Sequence, residues 1–323
     1  MATLKEIATK SEISISTVSR VLKNDRTLQI SAGTRAKILK VASELGYKAK
    51  AKTVNGVKIA IINWYSHDDE IVDPYYYYIR KAVESECLIQ NLTYDTYYKE
   101  HTFKNINNYD GIIAIGKFSK KQAKELQLIS EQVIFVDYNP DHDNFDSVEI
   151  DFDKLMKDII DYVVAQKNTS VGLMIGVESV DNQAFIDPRQ VFFEKYTKVH
   201  NLYNEKYYIT GEFTLESGYE MFMKLYENKT LPQVLICGND LIAMGANKAA
   251  YKMDLKVGED LKIIGINDIP MSKYMVPSLT TVKIYQKEMG KEAVKLLKRR
   301  LAGDEGIKIK IIIPTKLKVR KST

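Results

Sequence analysis

The chain has 323 residues, 45% of them hydrophobic and 28% charged, with two cysteines and a formal net charge of +5. That length calls for two or three compact units. No apolar run reaches the ~18–20 residues of a membrane span, and Glu6, Ser11 and Glu12 interrupt any apolar signal core near the start. A cytoplasmic protein without membrane attachment is therefore expected, and the wide separation of Cys87 and Cys237 argues against a disulfide framework or a cysteine metal cluster.

The charge is unevenly spread. Residues 1–58 hold 12 Lys and Arg against 4 Asp and Glu, so a basic head precedes a mildly acidic body, as in proteins that dock one end on polyanionic phosphate. Within the head, Thr3 with Glu6 forms a capping box for a first helix carrying Leu4, Ile7 and Ala8 on one face. Ser14 caps a second helix running to about Leu22, with Val18, Val21 and Leu22 inward. Ser31 caps a third, in which Ile38, Leu39, Ala42 and Leu45 are apolar and Gly46 is a stop. Helices this short cannot persist alone, so the three must share one core. The second leaves Ile15, Ser16, Ser19 and Arg20 on its outer face, where a recognition helix presents side chains to a major groove. A purely structural bundle is the plainer alternative. After Tyr47 the run Lys48–Gly56 alternates Lys with small residues, suiting either a hinge helix that folds on phosphate or a basic tether.

From Val57 the period changes. Val57–Ile62 is an apolar, β-branched run expected to be a buried parallel strand, and Asp73-Pro74 opens a helix to about Leu88. Further strands are expected at Gly111–Ile115, Val133–Val136, Val171–Ile175, Val234–Cys237 and Lys262–Ile266. Helices are expected at Lys154–Ala165, Ser217–Tyr226, Asp240–Met253 and Gln286–Leu301. Such alternation predicts parallel sheets covered by helices, with ligands in crevices at the carboxyl ends of strands. Trp64, Asp137, Asn239-Asp240 and Asn267-Asp268 follow four of these strands, and their polar groups suit a polyol. Each could instead cap the next helix.

Other signals point elsewhere and are weaker. Gly111–Lys117 nearly spells a phosphate loop, but Phe118 stands where a Ser or Thr is needed and the intervening residues are strand formers. His67-Asp68-Asp69-Glu70 is read as a solvated charged loop and not a metal site. Two rings of Tyr75–Tyr78 are expected to face the core. No Ser, Cys or His sits in a nucleophile motif, so no enzyme is expected.

The head resembles the DNA-binding unit of the lac repressor–galactose repressor family through Ile7-Ala8, Ser14, Thr17–Leu22, Asn24, Ser31, Thr34-Arg35, Lys37 and Glu44–Tyr47. The resemblance implies that Ile15 and Ser16 choose the operator and Arg20 reads a guanine edge. Thr17, Ser19, Asn24, Thr34 and Tyr47 would hold the DNA backbone, with Thr3 and Ser14 completing the DNA-facing set. Two departures stand out: Glu12 replaces a turn glycine, and the linker lacks the leucine that the family wedges into the minor groove. The body resembles the same family through Gly211–Tyr219, Cys237–Ala246, Ile264–Pro270, Pro277–Val282 and Pro314–Thr323. Around Trp64-Tyr65-Ser66 and Asp73–Tyr76 it is similar to galactose-operon repressors of low-GC Gram-positive bacteria. This implies an aromatic stacker at Phe213, hydroxyl partners at Asn239 and Asn267, a bidentate donor at Arg189, and a ligand set completed by Trp64, Tyr75 and Asp137.

The expected fold is therefore α/β, a three-helix helix-turn-helix head on a two-lobed, periplasmic-binding-protein-like body with parallel sheets. Its domains are residues 1–47, a linker 48–57 and a body 58–323 whose chain crosses between lobes near 160, 283 and 315. The expected function is a homodimeric repressor of a sugar-utilisation operon. It would bind double-stranded operator DNA and be controlled by a small sugar, with galactose or a galactoside favoured, and would need no cofactor or metal. A regulator answering to a protein co-regulator, or an enzyme with an appended DNA-binding head, is the alternative.

Overall fold

A computed structural model describes residues 3–22, 28, 30–45, 56–99, 101, 103, 106–304 and 306–323. Contacts divide the chain into two compact units, 1–53 and 54–323.

In the first unit, helices α1 (Leu4–Ser11), α2 (Ile15–Leu22) and α3 (Ala32–Glu44) enclose Ile7, Ala8, Val18, Val21, Ile38, Val41 and Ala42. The capping box of Thr3 and Glu6 is complete, and the Ser14 and Ser31 hydroxyls accept from the amides of Thr17 and Thr34 at 3.2 and 3.0 Å. On α3 Val41 turns inward with Ile38 and Ala42, whereas Leu39 is exposed. A run of adjacent apolar residues cannot all share one helical face. Glu12 closes α1 with φ 57°, the left-handed conformation in which a residue with a Cβ is strained and glycine is not. Gly46 and the linker residues 48–55 lie outside the described residues.

The second unit holds two six-stranded sheets. In the first lobe, β1 (Lys58–Asn63), β2 (Thr93–Tyr97), β3 (Gly111–Gly116), β4 (Val133–Asp137), β5 (Asp146–Ile150) and β13 (Lys310–Ile313) pair in the order β13-β5-β4-β3-β1-β2, all parallel. Around this sheet lie α4 (His67–Val72), α5 (Tyr75–Ile89), α6 (Lys120–Ile129) and α11 (Gln286–Leu301). In the second lobe, β6 (Val171–Gly176), β9 (Tyr208–Gly211), β10 (Val234–Cys237), β11 (Lys262–Asn267), β12 (Thr280–Lys283) and β14 (Lys316–Lys318) pair in the order β14-β12-β11-β10-β6-β9, parallel except for the antiparallel edge strand β14. Helices α7 (Phe152–Ala165), α8 (Pro188–Val199), α9 (Leu215–Glu227) and α10 (Asp240–Lys252) flank it. A two-stranded hairpin, β7 (Glu178–Val180) and β8 (Gln183–Phe185), projects after β6. The central strands are buried along their whole length, as strands covered on both faces must be.

The chain passes between lobes three times. The first passage is at Asp151, earlier than the expected 160, because α7 already packs on α8 and β14. The others fall between β12 and α11, and between β13 and β14.

One loop expectation fails. His67–Glu70 is no solvated loop: Ser66 caps it as α4, and Glu70 is buried. The Arg80 guanidinium donates to both Glu70 oxygens and to Glu84, so a buried ionic network clamps α4 to α5. The second lobe's sheet is parallel as expected, with β14 added antiparallel at its edge as the last leg of the third passage.

Candidate functional site

On the head, Ile15, Ser16 and Arg20 are exposed, and Thr17 and Ser19 half-buried, along one side of α2. Ser14 is committed locally: its hydroxyl bonds with those of Ser16 at 3.0 Å and Thr17 at 2.8 Å besides capping the helix. The Thr34 hydroxyl pairs with Ser31 at 2.8 Å, and the Thr3 hydroxyl donates to Glu6 at 3.1 Å. Caps of this kind fix helix ends while leaving first-turn amides and neighbouring hydroxyls facing outward, an arrangement suited to phosphate oxygens. Asn24 and Tyr47 lie outside the described residues.

In the body, the carboxyl ends of the strands from both sheets open onto one cleft with about 650 Å³ of empty space, part of it open to solvent. Tyr75, Asp137, Arg189, Phe213, Asn239 and Asn267 all line it. Trp64 does not. It follows β1 but packs beneath Gly116, whose φ of 109° and lack of a Cβ allow the indole to lie against the backbone. The neighbouring Tyr65 lines the cleft instead, its ring 5.3 Å from the indole.

The first lobe contributes a carboxylate braced by aromatic hydroxyls. Asp137 ends β4 at φ 84°, and its two oxygens accept from Tyr75 and Tyr76 at 2.7 and 2.8 Å. Burial, and then the charge of Asp137, hold both phenols far above their ordinary range, so they remain donors. Each Asp137 oxygen keeps further lone-pair capacity for a ligand hydroxyl. Asp73 precedes the same helix. It accepts from the Tyr75 amide at 3.1 Å and from the Asn239 amide of the other lobe at 3.2 Å, and burial pushes its carboxyl upward.

The second lobe contributes groups fixed by their own backbone. Arg189 lies in the first turn of α8, its guanidinium bidentate to Asp187 at 2.8 and 2.6 Å and donating to the Gly238 carbonyl at 2.5 Å. Burial opposes ionisation of Asp187, but Arg189 outweighs it and brings the carboxyl down to about 2. The same guanidinium lies 4.7 Å from the centroid of the Phe213 ring. Asn239 caps α10, accepting from Ile242 at 2.9 Å. Helices α9 and α10, which begin beside Phe213 and Asn239, cross closely at Gly218 and Gly245. A Cβ on Gly245 would sit 2.0 Å from the Leu215 carbonyl oxygen. Asn267 ends β11 at φ 116°, and among the described residues its side-chain amide makes no hydrogen bond, leaving it available to the cleft. Two non-glycine residues at positive φ on one cleft is the kind of local strain that concentrates at binding sites.

Several cleft residues were missed from sequence. Tyr76 lies inside a tyrosine run whose pattern suggests packing, and Asp73 in sequence looks like no more than a helix opener. Lys117 belongs to a stretch that only nearly spells a phosphate loop, yet it forms a largely buried ion pair with Glu178 of the other lobe. In each, the signal was a polar residue directly beside a strand end or helix start.

Residues 3–50 match the family of bacterial regulatory proteins described as the lacI family, and residues 160–323 match a periplasmic binding protein-like domain. The chain is 35% identical to the HTH-type transcriptional regulator GalR of Streptococcus thermophilus, over 100% of both chains. It is 31% identical to the HTH-type transcriptional repressor MelR of Bacillus subtilis (strain 168), over 100% of this chain and 97% of that one. Among solved structures it is similar to a transcriptional regulator CelR–cellobiose complex, with TM-score 0.73, 18% identity and 100% of both chains covered. It is likewise similar to the lac repressor dimer bound to operator and the anti-inducer ONPF, with TM-score 0.73, 20% identity, and 100% and 99% covered.

Proposed function

The chain belongs to the lacI family of bacterial regulatory proteins, and on that premise we propose a galactose- or galactoside-responsive repressor that binds operator DNA as a homodimer. The family assignment makes it a transcriptional regulator of sugar operons and not an enzyme. The proposal adds the effector and the residues. Ile15 and Ser16 would contact base edges and Arg20 a guanine, while Thr3, Ser14, Thr17, Ser19 and Thr34 would hold the DNA backbone, the role the resemblance also implies for Asn24 and Tyr47. Two such heads must sit about one helical turn apart, which a two-fold dimer provides.

The observation that carries the effector reading is the cleft. Asp73, Asp137, Asn239 and Asn267 converge there from two lobes, between the rings of Tyr65, Phe213 and their neighbours. Carboxylates and amides accept and donate to hydroxyls, and ring faces cover the apolar side of a sugar. A ligand touching both lobes favours the arrangement in which they approach, so it shifts a two-state equilibrium that the linkers transmit to the heads. The galactose assignment is supported by the GalR relative and by the residues around Trp64 and Asp73.

The test is fluorescence anisotropy of the full protein on DNA from upstream of its own gene, at two salt concentrations, with and without galactose. Specific binding that weakens at least tenfold with galactose is expected. Specific binding indifferent to galactose and to galactosides would overturn the effector assignment, and failure to prefer this DNA over random duplex would overturn the operator reading.

A further inference from the structure

Among the described residues lining the cleft, five are carboxylates, Asp73, Asp137, Glu149, Glu178 and Asp187, and two are cations, Lys117 and Arg189. Both cations are consumed. Arg189 is closed by Asp187 and the Gly238 carbonyl, as described above. Lys117, which follows β3 in the first lobe, pairs with Glu178, which begins the hairpin of the second lobe. Lys117 is buried and Glu178 nearly so, with side-chain exposures of 8% and 11%. The Lys117 ammonium lies 4.9 Å from the Phe185 ring centroid and 5.5 Å from that of Trp64, and Phe185 meets Tyr138 edge-on at 5.0 Å. The hairpin therefore reaches from one lobe to the other and seats a carboxylate on the one cleft cation that its own lobe leaves without a counter-ion.

We propose that Glu178 is a specificity-determining residue that bars anionic effectors from this cleft by occupying Lys117. A desolvated ammonium between aromatic rings is a strong site for a phosphate or carboxylate. With Glu178 in place, such a group meets an already neutralised lysine and the uncompensated carboxylates Asp73 and Asp137, and repulsion in a buried site is costly. A neutral polyol meets the same acceptors, amides and ring faces without that repulsion. Trp64 thereby acquires a role as a wall of the lysine seat and not as a ligand contact. This inference rests on the reading of the cleft as a sugar site, and it names the charge class admitted there.

The experiment is calorimetric titration of galactose and galactose 6-phosphate into the wild-type protein, Glu178→Gln, Glu178→Ala and the double variant Lys117→Met/Glu178→Gln, each checked for a cooperative thermal transition. The readout is the ratio of the two affinities, because loosening the lobe contact weakens both ligands together. The wild type is expected to bind galactose and to disfavour the phosphate at least a hundredfold. The Glu178 variants are expected to move that ratio toward the phosphate by tenfold or more, and the double variant to lose the gain. A wild type that prefers the phosphate, or a ratio unchanged in both single variants, overturns the role of Glu178 and leaves the sugar site standing. No heat from galactose, a galactoside or the phosphate in the wild type overturns the sugar reading and this inference with it.

Discussion

In the first lobe the cleft carboxylate Asp137 is held by two phenol hydroxyls from consecutive residues of α5, whereas in the second lobe Arg189, Phe213 and Asn239 are fixed by caps, backbone carbonyls and a close helix crossing. The first arrangement depends on side-chain atoms that can be removed without disturbing the chain trace. The second is part of how the lobe folds. Substitutions on the second side should therefore lower stability and binding together, and those on the first side should lower binding with little loss of stability.

The largest expected effect is that of Arg189→Ala. It leaves Asp187 buried without its partner, and one-sided loss of a buried pair costs about 3–5 kcal/mol. Urea unfolding of the body reads it, and a loss below about 1 kcal/mol would break the comparison from the second lobe's side. Gly245→Ala drives a Cβ into the Leu215 carbonyl, so α9 and α10 must separate, at a cost of about 3 kcal/mol. Effector affinity should fall with stability, since Phe213 and Asn239, which precede the two helices, line the cleft, and unchanged affinity in this variant would show the crossing to be irrelevant to the site.

Next in size is a pH effect. The Asp187 carboxyl is held near 2 in the folded protein against an ordinary value of 3.8. Its contribution of roughly 2 kcal/mol is thus complete above the ordinary value and is lost as pH falls toward the folded one. Stability measured from pH 5 down to 2.5 should therefore fall less steeply in Asp187→Asn than in the wild type, and parallel curves would contradict the assignment. The smallest stability change is expected in the first lobe. Tyr76→Phe removes one donor to Asp137 and should cost about 1 kcal/mol of stability, while weakening galactose by roughly tenfold as the carboxylate loses its orientation. A stability loss as large as that of Arg189→Ala would erase the distinction between the lobes.

The sequence made much of this legible. The Thr3–Glu6 box and the Ser14 and Ser31 caps announce the three head helices, and the uninterrupted apolar runs at β3, β4 and β6 announce buried parallel strands. Less legible were elements without such a pattern. Strand β2 reads Thr-Tyr-Asp-Thr-Tyr, polar because it is a sheet edge, and α4 looked like a charged loop because its buried Glu70 is partnered by Arg80, ten residues on. Six of the seven proposed ligand residues line the cleft, since polar residues at strand ends and helix starts are forced there by topology. Trp64 lies outside it, because a residue one step beyond a strand can turn to either side, and only the backbone of Gly116 decides which. Pairs such as Lys117 with Glu178 are invisible to local reading, since they join elements from different lobes.

The threefold passage of the chain has a mechanical consequence. Neither lobe is one continuous stretch: the segment that forms β6 through β12 is inserted between β5 and α11, and the chain then returns to add β13 to one sheet and β14 to the other. A protease that nicks the connection between β12 and α11 would leave two polypeptides still joined by paired strands in both sheets. The nicked body should migrate as two bands under denaturing conditions yet elute as one species in native buffer, and the two pieces should recover a cleft together that neither holds apart.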